Sequence, residues 1–428
     1  MDNWGEFTEP TLKSWESKIL KDLKTNSLES IYWKSSIGEI NPVSNSVKEI
    51  NPINSSAHLK INSEFDLSNK IVNEQILFAL KCGIDSIILK GVPSLSSLNG
   101  VMHEIIENHI LLSNENITEN YKEWSNWLNS RDKKIEGTLR YDPLFKFTSQ
   151  GIWSESKNED LKNWLLFYNS SEHESFKVIY VDGSIYANAL ANPIQEVAFI
   201  AAHLNEYFEK IENPEKEHKI ILKVAIGTEY FIEIAKLRAL RTLVQSIALH
   251  RNISIKISIE TVEKSTSISP TNKELNLLRS TTCSMASIIG GTNSISIHKD
   301  LINNHNYKKI FRHYANIPIV LKEESNISKV NDPSRGSYSI ENLTSIIKND
   351  SWKLFKQIEE NGGWINYLET QIPQKQCTKN ADLFISKLIN KDAVVVGFNK
   401  YNLKNDLLKP FSFEQTNSFN TLKLEMLL

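Results

Sequence analysis

The stretch from Lys219 to Glu324 constrains the fold most tightly. It runs KIILKVAIGTEYFIEIAKLRALRTL, then LLRSTTCSMASIIGGTNSISI, then NIPIVLKEES, so two strand–helix units and a further strand follow one another with hardly a spare residue between them. Short β-branched runs separated by helical periodicity mark βα units. The alternation starts at Ala57, with candidate strands at Ala57–Ile61, Ser86–Leu89, Ile110–Leu112, Ile135–Arg140, Val178–Asp182, Ile220–Ile226, Ile253–Ile259 and Ser294–Ile297. Helical segments lie between them at Leu67–Cys82, Ile117–Arg131, Pro193–Ile211, Thr228–His250 and Asn272–Ile288. Eight strands in βα alternation over about 250 residues is the size of a (β/α)8 TIM barrel. An open doubly wound sheet is the competing fold. The count of eight favours the barrel, with the third strand the weakest.

The helix after Gly227 carries the clearest pattern. Tyr230, Ile234, Leu237, Leu240, Val244 and Ile247 recur at spacings of three and four and make one apolar stripe. Thr228 is placed to cap the helix, and Glu229 suits its positive end. Arg238 and Arg241 fall on another face, read first as the solvated flank of a barrel helix and second as an ion-pairing surface for another chain.

Three regions follow: an N-terminal arm at 1–56, the barrel at 57–325 and a C-terminal helical extension at 326–428. The arm has a charged helical segment at Thr11–Leu23, then Ser- and Asn-rich chain with the turn-favouring pairs Asn41-Pro42 and Asn51-Pro52. It is poor in core residues and is expected to pack on something else. The extension has a long helix from about Glu341 to Glu360, stopped by Gly362-Gly363, a further helix near Ala381–Ile389 and a strand-like run at Ala393–Phe398.

Composition removes several function classes. Of 428 residues, 49 are Lys or Arg and 51 are Asp or Glu, a net charge of −2 with no basic stripe for nucleic acid or a membrane surface. No run approaches the roughly 18 apolar residues of a membrane span. The N-terminus MDNWGEFTEP is acidic and has no apolar core, so no secretory signal is expected. Cys82, Cys283 and Cys377 are too few and too scattered for a disulfide framework or a zinc site, which fits a cytoplasmic protein.

Chemistry-bearing constellations are sparse. There is no Gly-x-Gly-x-x-Gly and no Walker loop. Gly290-Gly291 is read as a tight turn between a helix and the eighth strand, with a phosphate approach as the alternative. His298, His305 and His313 lack metal-binding spacing. Glu323-Glu324 follows the strand-like run Ile317–Leu321, and one of the two is expected to pair with a buried base such as Arg279. Asp182, Gly227 and Glu260 sit at the C-terminal ends of candidate strands five, six and seven, the face where barrels hold their active sites. Tyr180 and Tyr186 are large enough to fill the barrel axis instead.

Several long phrases resemble the barrel of the methylmalonyl-CoA mutase family. They are VDGSIYANALANPIQEVAFIAAHLNEYF, VAIGTEYFIEIAKLRALRTL, LLRSTTCSMASIIGGTNSISI and VLKEESNISKVNDPSRGSYSIENLT, with Gly362–Trp364 and VVGFNKY beyond them. Together they cover about 178 to 402. A looser likeness extends upstream: IEGTLRYDPL resembles the fourth strand and its loop, NEQILFALKCGIDSIILKG the small-subunit version of the barrel's beginning, and IYWKSSIGEINP the phrase that leads into the first strand. The resemblance implies a CoA-threading barrel and adenosylcobalamin radical chemistry, with cobalt held by the histidine of an Asp-x-His-x-x-Gly motif in a C-terminal domain. That motif is absent from these 428 residues.

The barrel phrases depart from the catalytic pattern too. The family's catalytic His after strand five corresponds to Ile185, which can neither donate a proton nor bond a thioester oxygen. Loss of such a group typically costs about 10²–10⁴-fold in rate. Ser258 and Glu260 stand where strand seven of the catalytic chain offers His and Gln. Asp182, Ser258, Glu260 and Asn293 are then vestigial barrel-mouth positions. The carboxylate-binding arginine after strand four and the N-terminal Arg-rich phrase have no match.

The expectation is a small subunit with no catalytic group and no cofactor or metal of its own. It would be paired in a heterodimer with a large mutase subunit that holds adenosylcobalamin and meets the CoA ester. The alternatives are the substrate barrel of a split acyl-CoA mutase that borrows cobalamin from a separate protein, and a non-catalytic CoA-ester sensor or chaperone.

Overall fold

The computed structural model describes residues 11–41, 53, 59–91, 95–105, 111–115, 124, 126–127, 136–170, 176–270, 273–297, 307–401, 408 and 418–428. The chain opens with helix α1 (Leu12–Leu23), capped by Thr11, whose hydroxyl accepts from the Ser14 amide at 3.2 Å. A small hairpin of β1 (Trp33–Ser35) and β2 (Gly38–Ile40) follows. The main sheet then builds by alternation: β3 (Lys60–Asp66), α2 (Val72–Lys81), β4 (Ser86–Lys90), α3 (Leu95–Val101), β5 (Leu111–Glu115) and β6 (Glu136–Leu139). It continues through α4 (Pro143–Gln150), α5 (Lys157–Asn169), β7 (Ile179–Asp182), α6 (Ser184–Asn188), α7 (Pro193–Phe208), β8 (His218–Ile226), α8 (Tyr230–His250), β9 (Ile255–Glu263), α9 (Lys273–Ile289), β10 (Ser294–Ile297) and α10 (Tyr307–Glu323). Outside this alternation lie α11 (Tyr338–Glu360), α12 (Gly363–Glu369) and α13 (Ile372–Ile389).

Strands β3 to β10 form one parallel sheet in the order β6-β5-β4-β3-β10-β9-β8-β7. The sheet is curled. Its end strands approach each other through a parallel bridge between Leu139 and Lys177. Arg140, just past β6, meets Glu260 of β9 at 2.9 Å. Those strands are five positions apart in the sheet order, about 24 Å in a flat sheet at about 4.8 Å per strand. The architecture is therefore α/β and TIM-barrel-like.

The first strand lies further along than the Ala57–Ile61 expectation, because Asn62, Glu64 and Asp66 alternate with Ile61, Ser63 and Phe65 and hide the strand in polar letters. The fourth strand is shorter, ending at Leu139. The Leu67–Cys82 helix contracts to α2, since residues 67–71 make a turn. The expected helix Ile117–Arg131 falls mostly outside the described residues.

Two strand-like runs are not strands. Ile317–Leu321 is the last part of α10, where Phe311, Ala315, Pro318 and Leu321 follow a helical stripe and are buried. Ala393–Phe398 is irregular, with a single bridge from Val396 to Lys400. The helix near Ala381–Ile389 is the end of α13, which starts at Ile372 with Pro373 in its first turn. Thr228 does not cap α8: the capping position is Glu229, which makes no side-chain cap bond. Its carboxylate accepts instead from the Ser36 amide in the hairpin at 3.2 Å.

Helix α8 carries the largest correction. Arg238 and Arg241 are fully buried rather than solvated. Arg238 is covered by α11, which packs across α7 and α8 outside the usual helix ring, while Arg241 reaches inward to the strand starts. Arg238 is neutralised by Asp332 and by Glu341 of α11, the latter at 2.7 Å. Asp332 also accepts from the amide of Ile53, tying the N-terminal region to the same point. Arg241 donates to the carbonyls of Ile257 and Gly291 and to the Asn293 amide oxygen. Gly291, at φ +84°, makes the turn into β10, and a Cβ on Gly290 would meet Leu237 of α8 at 2.7 Å, so the pair serves a tight turn and close packing of the α9 end on α8.

Candidate functional site in the barrel axis

The inward side chains of the strands fill the axis with charge. Two layers are resolved. In the first, the Glu260 carboxylate accepts from Arg140 Nη2 at 2.9 Å and Nη1 at 3.4 Å, from Asn62 Nδ2 at 3.1 Å and from Ser296 Oγ at 3.1 Å. Arg140 also donates from Nε to Thr138 Oγ1 at 3.3 Å and lies over the Tyr180 ring at 5.1 Å. In the second layer Lys223 of β8 reaches across to Glu64 of β3 at 2.5 Å and lies 3.5 Å from Asp182. Glu64 also pairs with Lys90 at 2.8 Å. Among the described residues, three cations (Arg140, Lys223, Lys90) thus meet three anions (Glu260, Glu64, Asp182) where water is largely excluded. Buried charges persist only when paired and hydrogen-bonded in this way.

The loop after β7 is built against this layer. A Cβ on Gly183 would meet Ile200 Cγ1 at 2.3 Å and the Lys223 carbonyl at 3.2 Å, so only glycine lets α7 come this close. Asp182 accepts from the amide and hydroxyl of Ser184, starting α6. Ile185 is buried in the main apolar cluster. Tyr186 turns away from the axis: its hydroxyl meets His203 Nδ1 at 2.9 Å, and its ring packs edge-on to Trp364 at 5.4 Å and Phe419 at 5.2 Å. Tyr180 is thus the tyrosine that occupies the axis.

Behind Tyr186 sits a buried polar cluster. His203 Nε2 meets Asp142 Oδ1 at 3.0 Å, and Tyr207 donates to the same oxygen at 2.6 Å. Asp142 also accepts from the amides of Phe145 and Asp182. This fits an imidazole that donates from Nε2 and accepts at Nδ1 from Tyr186. Burial, with the Asp142 charge, pushes both tyrosine hydroxyls well above their ordinary range, so they act as neutral donors. The cluster joins the loop after β6 to α7.

The remaining expected positions separate. Ser258 lies lower on β9, half-buried, in register with Ile221. Asn293 is not at the mouth. It precedes β10, at the opposite end of the sheet, where its side-chain oxygen accepts from Arg241 and from the Ile259 amide. Gly227 accepts from the Cys283 thiol and donates to Glu233 at 2.9 Å. Glu233 and Glu196 flank buried Lys236 at 2.6 and 2.8 Å; burial opposes the lysine's charge, yet these carboxylates hold it above its ordinary range. Glu323 and Glu324 are exposed, and Arg279 donates instead to Asn276 and the Val396 carbonyl. His298 and His305 lie outside the described residues, and His313 is exposed.

Sequence reading missed Arg140, Lys223, Glu64, Lys90 and Asn62. For Lys223 the signal was a lone charged residue inside an apolar run, IILKVAI, whereas Asn62 and Glu64 sit in the mostly polar INSEFD and Arg140 follows its strand.

The C-terminal residues 418–428 lie over the loops past the strand ends. Phe419 donates its amide to the Thr148 carbonyl, Leu422 donates to Asn188, and the Ser265 hydroxyl donates to the Leu422 carbonyl.

The family model for methylmalonyl-CoA mutase matches residues 116–425, which include β6 to β10 and helices α4 to α13. The chain belongs to the methylmalonyl-CoA mutase family. It is 26% identical to the methylmalonyl-CoA mutase small subunit of Porphyromonas gingivalis, over 93% of this chain and 71% of that one. It is 25% identical to the methylmalonyl-CoA mutase of Rhizobium meliloti, over 76% of this chain and 46% of that one. It is 28% identical to the mitochondrial enzyme of Bos taurus, over 64% and 38%. The chain therefore spans less than half the length of the last two. No helix among the described residues is long and apolar enough to cross a membrane.

Proposed function

We propose that this chain is the small, non-catalytic subunit of a methylmalonyl-CoA mutase. Its partner in the heterodimer is a larger subunit that holds adenosylcobalamin and interconverts (R)-methylmalonyl-CoA and succinyl-CoA. Here the β3–β10 sheet is a complete (β/α)8 barrel used as a scaffold, in a reducing compartment such as the cytoplasm.

The observation that carries this reading is the pair of ion bridges that cross the axis, Arg140–Glu260 and Lys223–Glu64. A CoA chain threaded there would have to break both and leave buried charges unpaired, at about 3–5 kcal/mol for each pair. Ile185, at the position the family resemblance gives to the catalytic His, adds an apolar side chain where a proton donor is needed. The residues do not fit cobalamin either. Among the described histidines, His203 and His218 are committed to internal hydrogen bonds and His103, His250 and His313 are exposed, which supports a cofactor held by the partner. The arm supports the partner role, since no residue of α1 is buried within this chain. Such a subunit acts by mass action, stabilising the folded form of its partner.

The test is reconstitution with a mutase chain that carries both a barrel and a cobalamin domain. A one-to-one complex that turns over methylmalonyl-CoA, with none from this chain alone, is expected. Turnover by the isolated chain would overturn the reading. Ile185→His should also leave it inactive, because the axis stays blocked.

A further inference from the structure

The geometry points to a peptide-binding groove beside the loops past the strand ends, which this chain fills with its own residues 418–428, a strap that the same segment of a second copy can replace. Spaced apolar side chains anchor the strap. Phe419 enters an aromatic pocket, its ring centre 5.2 Å from Tyr186, 6.2 Å from Phe199 and 6.4 Å from Trp364. Leu422, Leu424 and Leu427 are buried with Ile385 and Leu388 of α13 and with Phe398. Lys423, Glu425 and Met426 are exposed. Backbone bonds fix the register: the Phe419 amide donates to the Thr148 carbonyl at 3.1 Å, the Leu422 amide to the Asn188 carbonyl at 2.9 Å, and the Ser265 hydroxyl to the Leu422 carbonyl at 2.7 Å. Main-chain bonds for register and pockets for spaced side chains are the means by which proteins read extended peptides.

The walls are tied together without the strap. Asn188 Oδ1 accepts from the Ser265 amide at 2.9 Å, joining α6 to the chain past β9. Asn380 of α13 donates to the Leu190 carbonyl at 3.0 Å and to Gln195 Oε1 of α7 at 2.9 Å. Asn399 closes the wall past α13, donating to the carbonyls of Leu388 and Ala393 and accepting from the Val395 amide. None of these bonds uses residues 418–428. Residues 402–417 connect the strap to the rest of the chain, a length that spans about 55 Å when extended, long enough for a strap to leave its own groove and enter that of a touching copy.

The inference goes beyond the proposed subunit role, and its test needs neither a partner subunit nor turnover, so the two can fail separately.

The experiment is fluorescence anisotropy of a labelled synthetic peptide of residues 418–428, titrated with the full chain. In Leu422→Asp/Leu424→Asp the strap carries charges that resist burial, so it leaves the groove. Saturable binding of the peptide to this variant is expected, at least about tenfold tighter than to wild type, whose tethered strap competes at an effective concentration of about millimolar. A peptide with the same two aspartates should not bind. If the variant does not fold, a protease site placed between Leu408 and Ser418 of the otherwise wild-type chain decides. After cleavage the released piece should dissociate on dilution while the rest keeps its circular dichroism, and added peptide should rebind. Equal binding to wild type and variant, no binding to a folded variant, or a cleaved chain that keeps its piece at high dilution or unfolds on losing it, would overturn the proposal.

Discussion

Along the axis, strands β3, β8 and β9 present Glu64, Lys223 and Glu260; on the opposite face of the same strands, Phe65, Leu222, Val224 and Ile259 meet the helices. Both faces are buried, yet one is held by charge and the other by apolar packing. The apolar layer gains from every methylene removed from water and tolerates repacking. The ionic layer gains little net stability from its pairs, because desolvation offsets attraction, but it loses heavily when one partner is removed. The difference teaches that one sheet is held in two ways: the helix-facing layer by apolar packing, the axis by charged residues that pair across it.

The largest effect should come from breaking the axis. Glu260→Ala should destabilise by about 3–5 kcal/mol in urea unfolding, whereas Arg140→Met with Glu260→Leu should cost far less or nothing. A double variant as unstable as the single would show that the two charges are not each other's main partners. In the apolar layer, Leu240→Ala should cost about 2–5 kcal/mol by the same measurement, since it leaves a cavity. A negligible cost there would erase the contrast.

At the seam between the layers, Gly183→Ala should cost about 1–3 kcal/mol by forcing Ile200 aside. A neutral result would mean that α7 can withdraw freely.

A smaller effect separates charge at the strand end from charge in the axis. Burial pushes the Glu263 carboxyl up from 4.5 to about 7, with a Ser280 hydrogen bond opposing. A folded value above the unfolded one gives stability that is full below pH 4.5 and lost as pH rises towards 7. Glu263→Gln should remove that slope, worth about 1–2 kcal/mol after discounting for its partial exposure. Urea midpoints at pH 5 and pH 8 would check it, and an unchanged slope would sink the assignment.

Legibility in the sequence followed the same division. Apolar letters revealed the layer: the stripe from Tyr230 to Ile247, the Gly290-Gly291 turn and seven of the eight strands to within a few residues. The axis was harder, because a polar inward residue breaks the apolar run that identifies a strand, which is why β3 was misplaced. Nothing local in α8 announces that α11 covers Arg238 or that Arg241 reaches the strand starts at Ile257 and Asn293. Ile317–Leu321 was taken for a strand because β-branched letters outweighed a stripe extending back to Phe311. Asn293 directly precedes the first residue of β10, which places it at the other end of the sheet from the mouth. Asp142 and His203, 61 residues apart, meet only through the fold.

The most direct test of the blocked axis is calorimetric titration of the isolated chain with succinyl-CoA. The account predicts no binding heat at micromolar to millimolar ligand. Stoichiometric micromolar binding, abolished by substitutions at Lys223 or Arg140, would contradict it.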